Sequence, residues 1–359
     1  MIREVPTVPL EEIGPELTHA QKERRARPES LTRYIAKWWR GDTHTHSEKS
    51  TREGWDYPEG VYSLREISRY YHTLGLEFAA ITEHASSPGN PSRQDVESAI
   101  CQSLLQEAEE ISELNKERGE KATLLSGVET NILFDGDGNP ALDIPDDVLK
   151  KLDLVIASRH AVALEKDPPA IKETLLMAAN HPDVSVIGHP DRYTRKDKEK
   201  DSAYWGEYWA IWPDILEAMK KNKVAFEINF NSPPSRKLVE MAAKSGVKFF
   251  LSFDAHDFNQ FKKEKSPLTE SGESAKRHWA KGQMSGPDEE ALRNYKQDRL
   301  SEGPGFRALM KLTRQIRKLE SLGVTPERVV NSSKENLLEF LKQRGRSTKN
   351  LEYLRSQQG

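Results

Sequence analysis

The chain has almost no cysteine and no long apolar run, and each absence excludes a class of protein. Cys101 is the single cysteine among 359 residues, so no disulfide can form within the chain and a reducing compartment is expected. No apolar run approaches the roughly 18 residues that a membrane span needs. The N-terminus, Met1-Ile2-Arg3-Glu4, lacks the apolar stretch of a signal peptide. We therefore expect a cytoplasmic protein without a membrane partner.

Charge of one sign and the common nucleotide-binding motifs are also missing. The formal net charge of −3 argues against a protein whose main role is to coat nucleic acid, because that role needs a strongly basic surface. The sequence contains no Walker loop, no glycine-rich dinucleotide motif and no Ser-His-Asp elbow. With 36% hydrophobic and 31% charged residues, the chain is expected to form a soluble, globular protein with a polar exterior.

Short apolar runs alternate with helical patterns through the middle of the chain. Seven runs are almost continuously apolar, which is typical of parallel strands covered on both faces: residues 38–43, 77–82, 123–128, 153–158, 184–188, 224–229 and 248–253. Helical spacing is found between them, at about residues 64–74, 92–117, 169–179, 212–221 and 234–245. This alternation predicts an α/β fold built of parallel β/α units.

The two ends of the chain and one internal segment depart from this alternation. Residues 1–37 are charged and interrupted by proline, which predicts an N-terminal arm on a barrel core of residues 38–257. Residues 258–305 hold charge runs such as Lys262-Lys263-Glu264-Lys265 and almost no core pattern, so they form either a solvated insertion or a lid. Helical spacing returns over residues 306–359, which are expected to complete the barrel domain.

Histidines and acids cluster where the predicted strands end. Six of the ten histidines follow a predicted strand, and one further strand ends on an acid. The motifs are Gly41-Asp42-Thr43-His44-Thr45-His46, Ile81-Thr82-Glu83-His84, Gly127-Val128-Glu129, Ser158-Arg159-His160, Gly188-His189-Pro190 and Phe253-Asp254-Ala255-His256. Imidazole and carboxylate bind Zn²⁺, Mn²⁺ and Fe²⁺, and α/β barrels build active sites at the C-terminal ends of their strands. The pattern favours a closed barrel with a multi-metal hydrolase site.

The first and last motifs carry the strongest geometric signal. A single histidine after a strand is more often a packed or capping residue than a ligand. His44 and His46, however, are two residues apart, so on a strand they project to one face, and Asp254 and His256 repeat that spacing. Because a closed barrel places its first and last strands side by side, these two pairs are expected to meet.

The candidate ligands are too numerous for one ion. Zn²⁺ takes about four ligands and Mn²⁺ or Fe²⁺ up to about six, so two or three divalent ions of Zn, Mn or Fe are expected. Glu129 is the best candidate for a bridging carboxylate. Two ions about 3.5–4 Å apart hold the attacking and leaving oxygens of a phosphoryl transfer and supply hydroxide near neutral pH. Hydrolysis of phosphate esters is the reaction that most often needs this arrangement.

In this order, the motifs strongly resemble those of the PHP (polymerase and histidinol phosphatase) superfamily. The resemblance covers about residues 40–256, and the stretch 124–161 looks similar to the PHP domain of bacterial family X DNA polymerases. About 37 residues precede the first motif, so we expect no polymerase portion. The resemblance implies a distorted (βα)7 TIM-like barrel and a trinuclear site. By motif match, it implies as metal ligands His44, His46, His84, Glu129, His160, His189, Asp254 and His256.

Two motifs depart from the family pattern. The family has Ser-Asp-Gly after His-x-His, and its aspartate is a ligand. Here the matching element is Pro58-Glu59-Gly60, so Glu59 would be the metal ligand, with Asp56 as the competing choice, and both could also be ordinary loop acids. Glu83 replaces the aspartate of Thr-Asp-His, where it would orient or merely flank the ligand.

The catalytic set is expected to be Glu129, His160, Asp254, Arg159 and Arg192. Each of the two arginines neighbours a proposed ligand, and a phosphate dianion would be well bound by such a guanidinium group. The alternative for both is an ion pair with an acid of the barrel.

One further acidic segment and the remaining histidines are predicted to be structural. Residues 135–140, Asp-Gly-Asp-Gly-Asn-Pro, begin like a calcium loop but lack the glycine at its sixth position and the closing glutamate, which predicts a surface turn. Cys101 is predicted to pack within a helix. The other four histidines lie away from the strand ends: His19, His72, His181 and His278.

Two functions from different classes follow from the sequence. The first is a metal-dependent phosphoesterase that uses a metal-activated hydroxide. It would act on a small phosphomonoester, as net charge favours, or as an exonuclease or phosphodiesterase on nucleic-acid ends, as the polymerase-linked resemblance favours. The second is a metal-stabilised interaction module with little turnover, which the complete ligand set argues against. The oligomeric state is left open.

Overall fold

The computed structural model describes residues 32–50, 60–85, 99–117, 119, 121–160, 167–192, 202–256, 306–346 and 348–356. The predictions for the N-terminal arm before residue 32, for Glu59 and Asp56, and for the insertion 258–305 lie outside these residues. Within the described ranges, no helix combines the length and the apolar character that crossing a membrane requires.

Seven parallel strands follow one another around the sheet in the order of the chain. They are β1 Gly41–Thr45, β2 Phe78–His84, β3 Thr123–Phe134, β5 Leu154–Ser158, β6 Val186–Gly188, β7 Ala225–Asn229 and β8 Phe249–Ser252. A short strand, β4 Pro140–Leu142, pairs antiparallel with the far end of β3. All seven predicted strands are present, and each begins within three residues of its predicted start.

The first and last strands meet, which closes the sheet into a barrel. At the C-terminal ends of the strands, here called the upper end of the barrel, the His46 N–H donates to Ala255 O (2.9 Å) and the Ala255 N–H donates to His44 O (3.1 Å). Lower down, the buried side chain of Asn331 spans the seam, since its Nδ2 donates to Gly41 O (2.7 Å) and to Leu251 O (2.6 Å). The predicted α/β architecture, a distorted TIM-like barrel, is confirmed.

Helices connect the strands on the outside and continue after the last strand. They are α1 at residues 32–36, α2 Leu64–Thr73, α3 Ala99–Lys116, α4 Asp146–Leu149, α5 Pro168–Asn180, α6 Ser202–Lys221, α7 Arg236–Ser245, α8 Phe306–Ser321, α9 Lys334–Gln343 and α10 Lys349–Ser356. Helix α6 begins ten residues earlier than predicted. Gly206 and Pro213 lie inside it, and the sequence did not indicate a helix there because both residues ordinarily disfavour a helix interior. The predicted turn at residues 135–140 joins β3 to β4, with the Gly138 N–H donating to Asp135 O (3.0 Å).

Side chains alternate between two hydrophobic clusters along six of the strands, β2, β3 and β5 to β8. On β2, Ala79 and Ile81 pack with the outer helices, whereas Phe78 and Ala80 belong to a second cluster that includes residues of α9 and α10. This second cluster also takes residues at the same alternation from β3, β5, β6, β7 and β8, so it fills the lower interior of the barrel: Leu125, Leu154, Ile156, Val186, Ala225 and Phe250. The residues that follow at the same alternation point into the upper interior.

Candidate metal centre

The alternation of side chains along the strands places four of the proposed ligands together in the upper interior of the barrel. Counting upward in twos from the apolar interior residues leads to His84 on β2, Glu129 on β3, His160 after β5 and Asp254 after β8. The upper interior is therefore lined by imidazole and carboxylate above a layer of aliphatic and aromatic side chains. These four side chains are at most 5% exposed.

Glu129 lies at the centre of the site, and its two oxygens face different histidines. Its Oε2 is 2.9, 3.4 and 3.7 Å from imidazole nitrogens of His84, His44 and His46, respectively. Its Oε1 is 2.8 and 3.3 Å from Nε2 of His189 and His160, respectively. This is the geometry that a bridging carboxylate needs, with one oxygen for each of two groups of imidazoles.

Asp254 forms a second acidic point next to Glu129. Its Oδ1 is 3.3 Å from His46 Nε2 and 3.6 Å from His44 Nε2. Its Oδ2 accepts hydrogen bonds from Arg192 Nη1 (2.9 Å) and from Asn229 Nδ2 (3.1 Å). The pairs from the first and last strands thus meet in space.

The side chains form three overlapping groups in which the potential ligand atoms lie within 4.8 Å of one another. The groups are His46, His84 and His256; His44, His46, Glu129 and Asp254; and His84, Glu129 and His160. His189 belongs to none of the three, although its Nε2 is 2.8 Å from Glu129 Oε1. The structure therefore brings together all eight ligands that the motif match implies, while Glu59 lies outside the described residues.

Residues that the sequence analysis did not select hold the imidazole rings in place. Glu227 Oε1 is 2.6 Å from His44 Nδ1, and Asn131 Oδ1 is 2.5 Å from His160 Nδ1. Asn131 is held in turn by Asp143, which accepts from its N–H (2.8 Å) and its Nδ2 (2.6 Å). The β3–β4 hairpin thereby supports the site, since it carries Asp143 to Asn131 and, through it, to His160.

The charges of the metal-free site are set by burial and by the neighbouring groups. Burial alone would lower the pKa of His44, but the carboxylates of Glu227, Glu129 and Asp254 outweigh it and raise that pKa well above its usual value. Burial would raise the pKa of Glu129 and of Asp254, but the imidazoles, His44 first, hold both pKa values well below their usual range. The carboxylates are therefore anionic at neutral pH, the form in which they bind metal.

Burial and neighbouring imidazoles act in the opposite direction on other histidines. Burial lowers the pKa of His46 well below its usual value, and His84 and His256 lower it further. Burial also lowers the pKa of His160. These two rings are neutral at pH 7, so each has a nitrogen lone pair to offer a cation.

The donor set fits divalent transition metals. His44 Nε2 and Glu129 Oε2 are fully buried, and neither has a hydrogen-bond partner of good geometry among the described residues. Such atoms are costly in an interior unless something satisfies them. Nitrogen and carboxylate oxygen are the ligands that zinc, manganese and iron accept. Cations at the three overlapping groups would satisfy these atoms.

Two of the three described non-glycine residues with a positive φ are proposed ligands, the third being Lys223. His189 has φ 24° and Asp254 has φ 53°, in the left-handed region that residues with side chains rarely adopt. Such conformations cost about 1–3 kcal/mol and persist where the surroundings enforce them, often at functional sites. By strand alternation the side chain of His189 would point away from the interior. Its unusual backbone conformation instead directs Nε2 to Glu129.

The two arginines of the predicted catalytic set have different surroundings. Arg192 is about one-third exposed and pairs with Asp254, the ion pair that was the alternative to a phosphate contact. Arg159 directly precedes His160, so by strand alternation its side chain lies on the opposite side of the barrel wall. Its neighbours there are Tyr208 and Tyr204 of α6. Burial lowers the pKa of Arg159 to about 10, so it remains a cation at neutral pH.

Glu83 does not face the cluster of ligands. It is buried and accepts hydrogen bonds from the Ser47 N–H through Oε1 (3.1 Å) and Oε2 (3.3 Å). Its contact is with the loop that follows His46. Glu83 thus fixes the backbone at the end of the His-x-His motif.

Two curated relatives share much of this chain. The DNA polymerase/3'-5' exonuclease PolX of Bacillus subtilis (strain 168) is 28% identical over 272 residues, which are 74% of this chain but 42% of the polymerase. The chain therefore spans less than half the length of that relative. A "Probable phosphatase" of Thermoanaerobacter sp. (strain X514) is 31% identical over 228 residues, which are 60% of this chain and 78% of the phosphatase. No protein-family model matches the sequence.

A solved structure shows a weaker likeness. Histidinol phosphate phosphatase from Lactococcus lactis subsp. lactis Il1403, in a complex with zinc, L-histidinol and phosphate, has 19% identity and a TM-score of 0.40. The match covers 66% of this chain and 92% of that one. The barrel fold is evident from the strand order and from the closure between the first and last strands.

Proposed function

The chain belongs to the PHP (polymerase and histidinol phosphatase) superfamily, and we propose on that basis that it is a metal-dependent phosphomonoesterase. The observation that carries the proposal is the arrangement around Glu129, whose two oxygens face five imidazoles in a buried site. The 31% identity with a probable phosphatase across most of its length supports the same activity.

The proposed cofactors are two or three divalent ions, drawn from zinc, manganese and iron. Three overlapping groups of donors around shared histidines and Glu129 support more than one ion. Ions in such a site supply a nucleophile at neutral pH and neutralise the phosphoryl oxygens. The eight implied ligands would hold them, and Glu59 is proposed as the ninth on the sequence pattern alone.

The chain itself supplies orientation, charge and a dry environment. Ligands that are at most 5% exposed hold the site away from bulk water, apart from His256, whose side chain is 31% exposed. Arg192, at the exposed edge beside Asp254, is proposed to donate to a phosphoryl oxygen and so to bind the substrate dianion. Glu129, His160 and Asp254 are proposed to hold the ions in a fixed position relative to the phosphoryl group of the substrate.

Arg159 is proposed to act at a distance from the ions. Its neighbours on α6 place it outside the barrel interior, so direct contact with a phosphoryl group bound at Glu129 is disfavoured. Contact with a more distant part of the substrate, or support of the α6 packing, fits this position better.

The proposed substrate is a small phosphorylated compound. A net charge of −3 gives no general attraction for a polyanion, whereas a single phosphate group needs only the local cations of the site. The similarity to PolX favours a second candidate, the removal of nucleotides from a nucleic-acid end.

The experiment is phosphate release from p-nitrophenyl phosphate by purified protein supplied with Mn²⁺ or Zn²⁺. Turnover that disappears with a chelator and returns with the ion supports the proposal. No release with Mn²⁺, Zn²⁺ or Fe²⁺, from this ester or from a panel of phosphomonoesters, would refute it. Labelled single-stranded and duplex oligonucleotides decide on the second candidate, since shortening without release from small esters would favour the exonuclease.

A further inference from the structure

We propose that Glu227, which is not one of the metal ligands, is the positioning residue that fixes His44 for one particular metal position. The inference rests on the proposed metal site and deepens it. Glu227 decides how tightly the ion held by His44, His46, Glu129 and Asp254 is bound.

Three contacts converge on the Glu227 carboxylate. Its Oε1 is 2.6 Å from His44 Nδ1 and accepts from the Ser252 hydroxyl (2.6 Å), while its Oε2 accepts from the His189 backbone N–H (2.5 Å). The residue lies in the middle of β7 and is 1% exposed. One buried carboxylate thereby ties together the β1, β6 and β8 edges of the site.

These contacts select one tautomer of His44. The carboxylate has only acceptors to offer, so the proton of neutral His44 must lie on Nδ1. Its Nε2 lone pair then points to the side where Glu129 Oε2 and Asp254 Oδ1 lie, 3.4 and 3.6 Å away. A metal-binding histidine with its other nitrogen on a carboxylate is more basic and better oriented than one without it.

Three other imidazoles in the site have neutral acceptors at Nδ1, whereas His84 Nδ1 faces the proposed ligand Glu129 (2.9 Å). His160 Nδ1 faces the amide oxygen of Asn131 (2.5 Å), and His256 Nδ1 faces the backbone oxygen of Asp254 (3.0 Å). His46 Nδ1 faces the hydroxyl of Ser50 (3.2 Å). Among these four rings, His44 alone has a carboxylate within hydrogen-bond distance of Nδ1 (2.6 Å), since Asp254 Oδ1 is 3.6 Å from His256 Nδ1. The metal position of His44 is therefore expected to depend most on that partner.

Glu227→Gln is the decisive substitution because the amide cannot reproduce all three contacts. If its oxygen faces His44 and Ser252, its NH₂ opposes the His189 N–H, and two donors meet. If its oxygen faces His189, its NH₂ donates to His44 Nδ1 and forces the proton onto Nε2, which then cannot bind a metal. Glu227→Asp keeps the charge on a shorter side chain and serves as the conservative variant.

The test is a titration of the metal-free proteins with Co²⁺ in competition with a chromophoric chelator, together with the visible absorption of bound Co²⁺. For Glu227→Gln we expect the affinity of one equivalent to fall about 10- to 100-fold, with loss of that equivalent's absorption band and unchanged affinity for the others. Glu227→Asp should recover part of the loss. Glu207→Gln, the same change at an exposed position of α6, should titrate as the parent protein does.

The outcomes separate this inference from the proposed function. If the parent protein binds several equivalents and Glu227→Gln binds them all equally well, the positioning role is wrong while the metal site stands. If the parent protein binds no Co²⁺, the proposed function fails first and the inference with it. Circular dichroism and the unfolding midpoint of the metal-free proteins establish folding. Should Glu227→Gln not fold, Glu227→Asp decides, since an unchanged affinity for every equivalent overturns the proposal.

Discussion

The two ends of the barrel solve the problem of buried polar groups in opposite ways. At the upper end, imidazole nitrogens and carboxylate oxygens converge on the same small volume around Glu129. At the lower end, apolar side chains of α9 and α10 close the barrel. Polar groups of the lower end bind one another, whereas those of the upper end are arranged around a common centre.

Three arginines of the lower end show this difference most clearly. Arg346 donates through Nη1 to Leu149 O (2.7 Å) at the end of α4, and Arg344 donates through Nη2 to His181 O (2.9 Å) just after α5. Arg328 donates through Nη2 to Ala242 O (3.1 Å) in the last turn of α7. The last carbonyls of a helix lack internal partners and carry partial negative charge, so each guanidinium completes the end of a helix.

The comparison teaches that burial and charge alone do not identify a functional site. Both ends hold charged groups in the interior, but at the lower end donors meet acceptors, and at the upper end metal-binding atoms meet one another. Substitutions at the two ends should therefore affect different properties, activity above and stability below.

The largest expected effect is loss of activity on removing a ligand from the upper end. His44→Ala and Asp254→Ala should each lower turnover by roughly a thousandfold or more, because each belongs to the group that shares Glu129 and the bound ions supply most of the chemistry. The fold should persist, since apolar layers pack the barrel below. Phosphate release and circular dichroism measure the two properties. His72→Ala on α2 is the control, and near-normal turnover of either variant would exclude these residues as ligands of the catalytic ions.

A smaller effect is expected at the lower end, where a substitution should reduce stability and leave activity unchanged. Arg346 is 6% exposed and also donates to Asp183 O, so Arg346→Ala should lower the free energy of unfolding by about 3–4 kcal/mol through the buried carbonyls left unpaired. Turnover and metal content at temperatures where the variant is folded should not change. Denaturant unfolding measures the effect, with the exposed Arg355→Ala as the control. Equal stability would mean that the guanidinium does not hold the helix ends.

The smallest expected effect is a pH dependence of stability at the lower end. Burial raises the pKa of Asp153 to about 6, although hydrogen bonds from Ser126 and Asn350 oppose the rise. The ordinary pKa is about 4, so the folded state binds this proton more tightly than the unfolded state. The stabilisation is thus fully present below about pH 4 and is lost as the pH rises through about 6.

The measurement compares the protein with Asp153→Asn between pH 4.5 and 7. Relative to the variant, the parent protein should lose about 2 kcal/mol of unfolding free energy as the pH rises over this range. Asp147→Asn, at an exposed position of α4, should show no such trend. A parallel pH course for the parent protein and Asp153→Asn would contradict the raised pKa.

Much of the upper end could be predicted from the sequence, because its ligands follow the strands in short motifs. His44, Glu129 and Asp254 each stand directly at or after an apolar run. The same runs predicted all seven strands of the barrel, since parallel strands buried on both faces are apolar throughout.

The supporting residues were missed because they lie inside the strands or depend on a contact distant in sequence. Glu227 was visible in principle, as an acid in the middle of the apolar run Ala-Phe-Glu-Ile-Asn, two residues above the interior residue Ala225. Asp143 carried no such signal, because its contact with Asn131 arises only when β4 folds back on β3. The arginines of the lower end belong to no recognisable motif. The residues next to them in the sequence do not indicate which carbonyl oxygens they will bind.

The central claim is that the upper end is a multinuclear metal site, and elemental analysis of the purified protein tests it most directly. The protein should hold two or three equivalents of zinc, manganese and iron together, and His44→Ala should hold fewer. The three overlapping donor groups around Glu129 are the reason for this number. One equivalent or none in the parent protein, after incubation with each metal, would contradict the account.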